Sequence, residues 1–262
     1  LSINEKGISM QVMDGGRVAM HSARISADVH FADTSVAEPK ASFTVSSERL
    51  ETAVAAANQT TYILTFFPEN DGSQIAFHIR ENVGDDDNGL KGTGYSSKMV
   101  LSTRAEDSEH SVLQPWDATH NAYVSTQALK TFFKKASKID ADKVGIQLFS
   151  VSGSPGTVVI RLHSESTSCG SSATDTFVSN VDGASNNKPP IFKTPGLADC
   201  NLEMMKIEYS ESFSVTHMQQ FLKTNDKDNV FLRMERDKPL ICHIDLGNDS
   251  DISLVLAPLV SD

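Results

Sequence analysis

Hydrophobic and polar residues alternate along most of this chain in short runs, the period-two signature of strands with one buried face. Gly7–Met13, Val18–Ser22, Tyr62–Phe67, Gln74–Ile79, Val144–Phe149, Val158–Leu162, Val230–Met234 and Ile241–Leu246 all follow it and predict a protein dominated by strands. Three stretches change period. Ser47–Asn58 places Leu50, Ala53, Val54 and Ala57 three and four apart. Thr126–Ile139 does so with Leu129, Phe132, Phe133, Ala136 and Ile139, and Ser214–Thr224, more weakly, with Val215, Met218, Phe221 and Leu222. Such spacings gather side chains on one face of a helix. Each predicted helix follows a strand-like run (Phe43–Val45, Ala122–Val124, Ile207–Tyr209) and a hydroxyl residue able to cap its first amides: Ser46 or Ser47, Ser125, and Ser214. Strand, helix, then several strands therefore recurs from 47, 126 and 214. A unit of this kind buries one helix face on a sheet and leaves the other free, an α+β layer architecture with its helices on one side.

Two segments interrupt the pattern. Glu81–Gly94 is acidic and glycine-rich, Ser164–Asn201 is rich in Ser, Gly, Asn and Pro, and both are predicted as loops. A third stretch, 104–121, is polar around the apolar island Val112–Trp116 and reads as an interdomain connector. It separates an N-terminal domain, 1–103, from a C-terminal domain, 122–262.

At 262 residues, 39% hydrophobic and 22% charged, the chain has the composition of an ordinary globular protein, which excludes collagen-like, disulfide-framework and low-complexity classes. Its 34 acidic and 23 basic residues give a net charge of -11, which on average opposes binding to phosphates. One window departs from the average. Lys130, Lys134, Lys135 and Lys138 crowd the free face of the second helix with no acidic residue among them, where an even spread would place about one basic residue. Cys169, Cys200 and Cys242 form no C-x-x-C pair, which fits a reducing compartment and leaves no zinc site of ordinary spacing. No apolar run reaches membrane-helix length and no signal peptide opens the chain, so a soluble intracellular protein without a membrane partner is expected. Leu1-Ser2-Ile3 reads as the middle of a strand, so the polypeptide is expected to extend upstream.

Catalytic and cofactor signatures are missing. Gly153–Gly156 lacks the register of a nucleophile elbow and reads as a hairpin turn. In Asp85–Gly89 the glycine falls one place too early for a calcium loop, and Ser96 stands where the bidentate glutamate belongs. The eight histidines never pair at i, i+4, and no P-loop or G-x-G-x-x-G occurs. Asn58-Gln59-Thr60 and Asn248-Asp249-Ser250 match the glycosylation pattern without a secretory context. A non-enzymatic role, with no metal and no cofactor, is expected.

Three passages carry a resemblance. Leu1–Asp14, followed by Arg17–Met20, resembles the early strand pair of the proliferating cell nuclear antigen (PCNA) family of sliding clamps, with a glycine, alternating apolar residues and a Met-Asp turn. Lys238-Pro239-Leu240 before an apolar strand is similar to that family's final domain, and Leu254–Asp262 to its Leu-Ala-Pro tail. The resemblance implies the α+β DNA clamp fold, two similar domains with helices lining the inner face of a ring and sheets outside. It implies a homotrimer that encircles duplex DNA without regard to sequence, serves as a processivity factor in DNA replication and repair, and is placed on DNA by a clamp loader. It tethers DNA polymerase and other proteins carrying a clamp-binding motif, in the nucleus or in a viral replication compartment.

The same resemblance implies site residues. Lys134 and Lys138 would line the channel, with Lys130, Lys135, Arg49 and Lys223. Met13, Arg17 and Val18 match the floor of the client pocket, Val112, Leu113 and Pro115 its connector, and Pro239, Val255, Leu256, Ala257 and Pro258 its C-terminal wall. Ring closure is expected through Ser97–Arg104 of one subunit and Thr174–Asn180 of the next. Several features depart from the family: its opening strand and helix are not in this sequence, Thr157 and Val158 replace a regulatory lysine, Val255 replaces an aromatic, and Ser164–Asn201 is longer than usual. These suggest a divergent member, viral or protist. Two other readings fit the same residues: a subunit of a heterotrimeric checkpoint clamp, and a polymerase accessory factor that binds DNA without encircling it.

Overall fold

The computed structural model describes residues 2–4, 6–26, 40–42, 44–55, 62–69, 73–81, 96–103, 118–151, 157–180, 191–192, 205–223 and 225–259. The chain divides into two compact units, Leu1–Met10 with Ala27–Leu113, and Gln11–Ser26 with Gln114–Asp262. The cut between residues 113 and 114 falls inside the stretch read as a connector, of which 118–121 are described.

The first unit opens with β1 (Ser2–Asn4), which pairs antiparallel with β2 (Gly7–Met13); the division between units falls within β2, after Met10. β3 (Ala19–Ser26) belongs to the second unit, and β4 (Lys40–Ser42) pairs with the other edge of β1. Helix α1 (Ser47–Ala55) precedes an antiparallel meander of β5 (Tyr62–Glu69), β6 (Gln74–Glu81) and β7 (Ser96–Ser102). Ala53 of α1 packs with Ile75, Phe77 and Leu101, and Leu50 closes over them, as the helical spacing requires.

The second unit holds β8 (His120–Ser125), α2 (Thr126–Lys138), β9 (Lys143–Val151), β10 (Thr157–Glu165), β11 (Ser172–Asn180), β12 (Ile191–Phe192), β13 (Met205–Ser214), α3 (Val215–Lys223), β14 (Asn229–Met234), β15 (Leu240–Gly247) and β16 (Ser250–Leu256). The repeat seen in the sequence is present twice: strand, helix, three-stranded meander. Each opening strand crosses to the other repeat's meander. β8 pairs with β14, and β13 pairs with β9, so one sheet runs β11-β10-β9-β13 and the other includes β12-β8-β14-β15-β16-β3. The helix starts are tied across in the same way. Thr126 N–H donates to the Asp228 carbonyl at 2.8 Å, and Val215 N–H to the Asp142 carbonyl at 2.9 Å. Two of the orphan amides that any helix leaves at its start are thus satisfied reciprocally.

The core lies between these sheets and the two helices. Leu129, Phe132, Phe133 and Ala136 of α2 and Val215, Met218, Phe221 and Leu222 of α3 join Val144, Ile146, Ile160, Leu162, Leu232, Ile244 and Leu254, all essentially buried. Phe132 and Phe133 meet edge to face, with centroids 5.4 Å apart. Ser125 caps α2, accepting from the Ala128 amide at 3.4 Å. The far end closes with Asp140 at φ 52°, its amide bonded to Ser137 O and that of Ala141 to Ala136 O. A left-handed residue just past the helix satisfies its last carbonyls.

One expectation fails. The stretch Ser164–Asn201, read as a loop, contains the end of β10, all of β11 and β12. The inward positions of β11 are Ala173, Asp175 and Phe177, so a small residue and a charged one stand where the alternation would show large apolar side chains. Asp175 can face inward because Lys135 of α2 reaches it at 2.7 Å. Helix α1 is described to Ala55, and α2 and α3 end one residue short of the sequence boundaries.

Tyr209 lies wholly inside this core, and its hydroxyl has no hydrogen-bond partner among the described residues; burial pushes its pKa upward. An unpaired buried hydroxyl costs free energy, so Tyr209→Phe should leave the fold unchanged and raise unfolding stability by about 1 kcal/mol, read from urea midpoints.

Candidate nucleic-acid and partner interfaces

Burial of one face of α2 determines what the other face shows. Gln127, Thr131, Lys134, Lys135, Ser137 and Lys138 are exposed, and Lys130 is half-buried. The four lysines differ in freedom. Lys130 Nζ donates to the Asn225 carbonyl at 2.6 Å, just beyond α3, and Lys135 is held by Asp175. Lys134 and Lys138, one helical turn apart, have no acidic partner among the described residues. Lys223 is exposed in the last turn of α3, two residues before Asn225, so it stands near the Lys130 end of the same surface. Arg49 is exposed on α1 in the other unit, between exposed Glu48 and Glu51. The positive character of the described helices is therefore concentrated on α2.

A second surface forms where β3, β16 and β15 lie side by side. The register sets Val255 against Met20 on one side and Ile241 on the other, and Leu256 against Ala19 and Leu240. Beyond the ladder, the Ala257 amide donates to Val18 O at 2.8 Å, and one more step brings Pro239 level with Ala257. Val18, Pro239, Val255, Ala257 and Pro258 are thus gathered within one unit. Leu256 points the other way, into the core, and is 0% exposed. Met13 is half exposed, a large apolar side chain left in water. Arg17 is exposed in the turn at φ 55°. Val112, Leu113 and Pro115 lie outside the described residues.

The turn beneath Val18 is built on Asp14. Its amide donates to Ala19 O at 2.9 Å, its carbonyl accepts from Arg17, and its carboxylate accepts from the Ala19 amide at 2.7 Å. That backbone bond, with a smaller contribution from His217 at 3.7 Å, holds the Asp14 carboxyl below its ordinary value. His21 lies on β3 nearby, and burial lowers its pKa.

Sequence reasoning missed the neighbours of this surface. Tyr123 and Phe231 are paired across β8 and β14 with centroids 4.7 Å apart, and the Arg233 guanidinium stands 5.5 Å over the Phe231 ring. With Lys227, His243 and Asp245 they line a depression of about 400 Å³. Aromatic and arginine side chains are the residue types that anchor protein interfaces. The available signal was parity: Tyr123 and Phe231 alternate with Ala122, Val124, Val230 and Leu232, which fill the core.

Among the described residues, β7 and β11 each lie at one end of a sheet. β7 is the last strand of the β5-β6-β7 meander, and β11 the last of β11-β10-β9-β13. β7 overlaps the expected stretch Ser97–Arg104, of which Arg104 lies outside the described residues, and β11 overlaps Thr174–Asn180.

Repeated strand–helix–meander units, a helix pair sharing one core and sheets behind them define an α+β clamp fold. Solved structures agree. The chain is similar to the crystal structure of PCNA from Thermococcus kodakaraensis, with 17% identity and a TM-score of 0.65 over 98% of this chain and 89% of that one. It is likewise similar to proliferating cellular nuclear antigen from Entamoeba histolytica, with 16% identity and a TM-score of 0.66 over 99% and 88%. No protein-family model matches the sequence, and no curated protein matches it. The fold is that of a PCNA-like clamp.

Because Asp14 has a depressed folded pKa, its contribution is complete above the ordinary value of 3.8 and is lost as the pH falls through the lower folded value. Asp14→Asn should therefore lower stability at neutral pH, and the gap from the unaltered chain should close on acidification, measured by urea unfolding across the acid range.

Proposed function

We propose that this protein is a subunit of a sliding clamp, a ring that encircles duplex DNA and tethers DNA polymerase and other proteins bearing a clamp-binding motif. The observation that carries the reading is the exposed pair Lys134 and Lys138 on α2, without an acidic partner among the described residues, on a clamp fold whose chain is otherwise strongly acidic. A closed ring retains DNA by topology. It needs a weak cationic lining rather than a positive surface, and contacts to phosphates carry no sequence information. Lys134 and Lys138 make that lining, supported by Lys130, Lys135, Lys223 and Arg49. The strands β7 and β11 each stand at one end of a sheet among the described residues, and pairing them between subunits would close the ring. Clients dock on Met13, Arg17, Val18, Pro239, Val255, Ala257 and Pro258, with Leu256 supporting them from the core, and with Val112, Leu113 and Pro115 of the connector. A clamp loader opens the ring, and the protein acts where DNA is replicated, in the nucleus or a viral replication compartment. Its role is non-enzymatic.

One observation favours the heterotrimeric reading. The exposed face of α1 carries Glu48 and Glu51 with Arg49, so three identical copies would bring three acidic helices to the lining. Sedimentation of the purified chain decides between the two. A homotrimer is expected, whereas a monomer that assembles only with other clamp subunits would establish the checkpoint-type ring.

Two variants, one of them double, test the surfaces. Lys134→Gln with Lys138→Gln should flatten the salt dependence of DNA binding by about one unit of log–log slope per lost phosphate contact, with no change in assembly. Met13→Glu, at an exposed position, should weaken binding of a clamp-binding-motif peptide by about tenfold or more, measured calorimetrically, while the mass in solution stays the same.

A further inference from the structure

The sheet β11-β10-β9-β13 has a second face that the function above leaves unused. Val144, Ile146, Leu148, Ile160 and Leu162 turn inward to the core beneath α2 and α3, so the alternate residues of β9 and β10 face away from the lysine-bearing helix. Two adjacent rows cross this outward face. One runs Thr174, His163, Gly145, Ser212, and the other Thr176, Arg161, Gln147, Ser210. Gly145 has no side chain, so the first row has a gap between His163 and Ser212, and the floor of a depression of about 720 Å³ lies there.

We propose that this depression binds a phosphate monoester dianion. Lys143, Arg161 and His163 line it, and Glu165 is the one acidic residue among the described lining residues. The remainder are glycine, glutamine and hydroxyl residues, the donors that surround a bound oxyanion. One outward-facing lining residue holds a buried polar atom without a hydrogen-bond partner among the described residues, Arg161 Nε. A buried donor left unpaired calls for an acceptor, and a guanidinium presents a fork that matches phosphate oxygens. His163 is positioned by its neighbour: Nδ1 bonds to Thr174 Oγ1 at 2.8 Å, which leaves Nε2 without a partner among the described residues. Gln147 is steadied in the same manner by Ser210 at 3.3 Å. The volume exceeds that of a bare phosphate and admits the group that carries it. Binding here is independent of the DNA-facing surface, because the two lie on opposite sides of one sheet.

The test is titration of the protein with inorganic phosphate, phosphoserine and a short phosphoserine peptide, followed by calorimetry and by backbone amide shifts of β9, β10 and β13. Saturable binding is expected, with shifts centred on Gly145, Arg161 and Ser212. Arg161→Gln should weaken it by about tenfold, the loss of a charge-assisted bond, and Glu165→Gln should strengthen it. Lys134→Gln with Lys138→Gln should leave it unchanged. If the peptide binds more tightly than phosphoserine, the dianion is supplied by a phosphorylated protein; equal binding assigns the site to a free phosphate monoester. Absence of saturation for all three probes, or shifts confined to α2, would overturn the proposal, as would equal affinities for the unaltered chain, Arg161→Gln and Glu165→Gln.

Discussion

The burial of the apolar stripe of α2 is the constraint on which the remainder depends. Leu129, Phe132, Phe133 and Ala136 are almost wholly removed from water, and a buried phenylalanine is worth about 1.5–3 kcal/mol relative to exposure. With that stripe committed to the core, the helix has a single choice of rotation, and the lysines must occupy what is left. Exchange of β8 and β13 between the two repeats reinforces it, because each helix start is held by a carbonyl that follows the other helix. A cationic face in an acidic chain is thus a product of packing, held in place by a core that contains none of the charge.

The same exchange sets up the other surfaces. β16 lies between β15 and β3, which brings Val18, Pro239 and Ala257 to one place although they are far apart in sequence. The inward residues of those strands fill the core, and of the outward ones Val18, Pro239, Ile241 and Ala257 remain partly exposed while Met20 and Val255 are themselves buried. Tyr123, Phe231 and Arg233 continue the surface on β14 and β8, and Arg161 with Gly145 occupies the corresponding face of the second sheet. Each face therefore has one structural side and one chemical side.

Much of this was legible in the sequence, for a physical reason. The helices at 47, 126 and 214 and most strands declared themselves because their buried residues are large and apolar, so their spacing is visible in a single chain. β11 did not, because Ala173 and Asp175 occupy inward positions and the salt bridge that permits Asp175 comes from a distant helix. The fates of Lys130 and Lys135 were hidden likewise, since Asn225 and Asp175 reach them only through tertiary structure. The proposed client surface rests on the resemblance of Met13–Val18 and the Leu-Ala-Pro tail, whereas periodicity alone would assign those residues to ordinary strand packing. Tyr123 and Phe231 were overlooked because an aromatic in a strand looks like core until its parity is known.

The central claim is that DNA is held by enclosure rather than by grip. The most direct measurement loads the protein onto a covalently closed circular duplex, washes at high salt, then cuts the circle once. The account predicts retention through the salt wash and rapid loss after the single cut, as the ring slides off the new ends. Dissociation from the uncut circle at high salt, or retention after the cut, would contradict it.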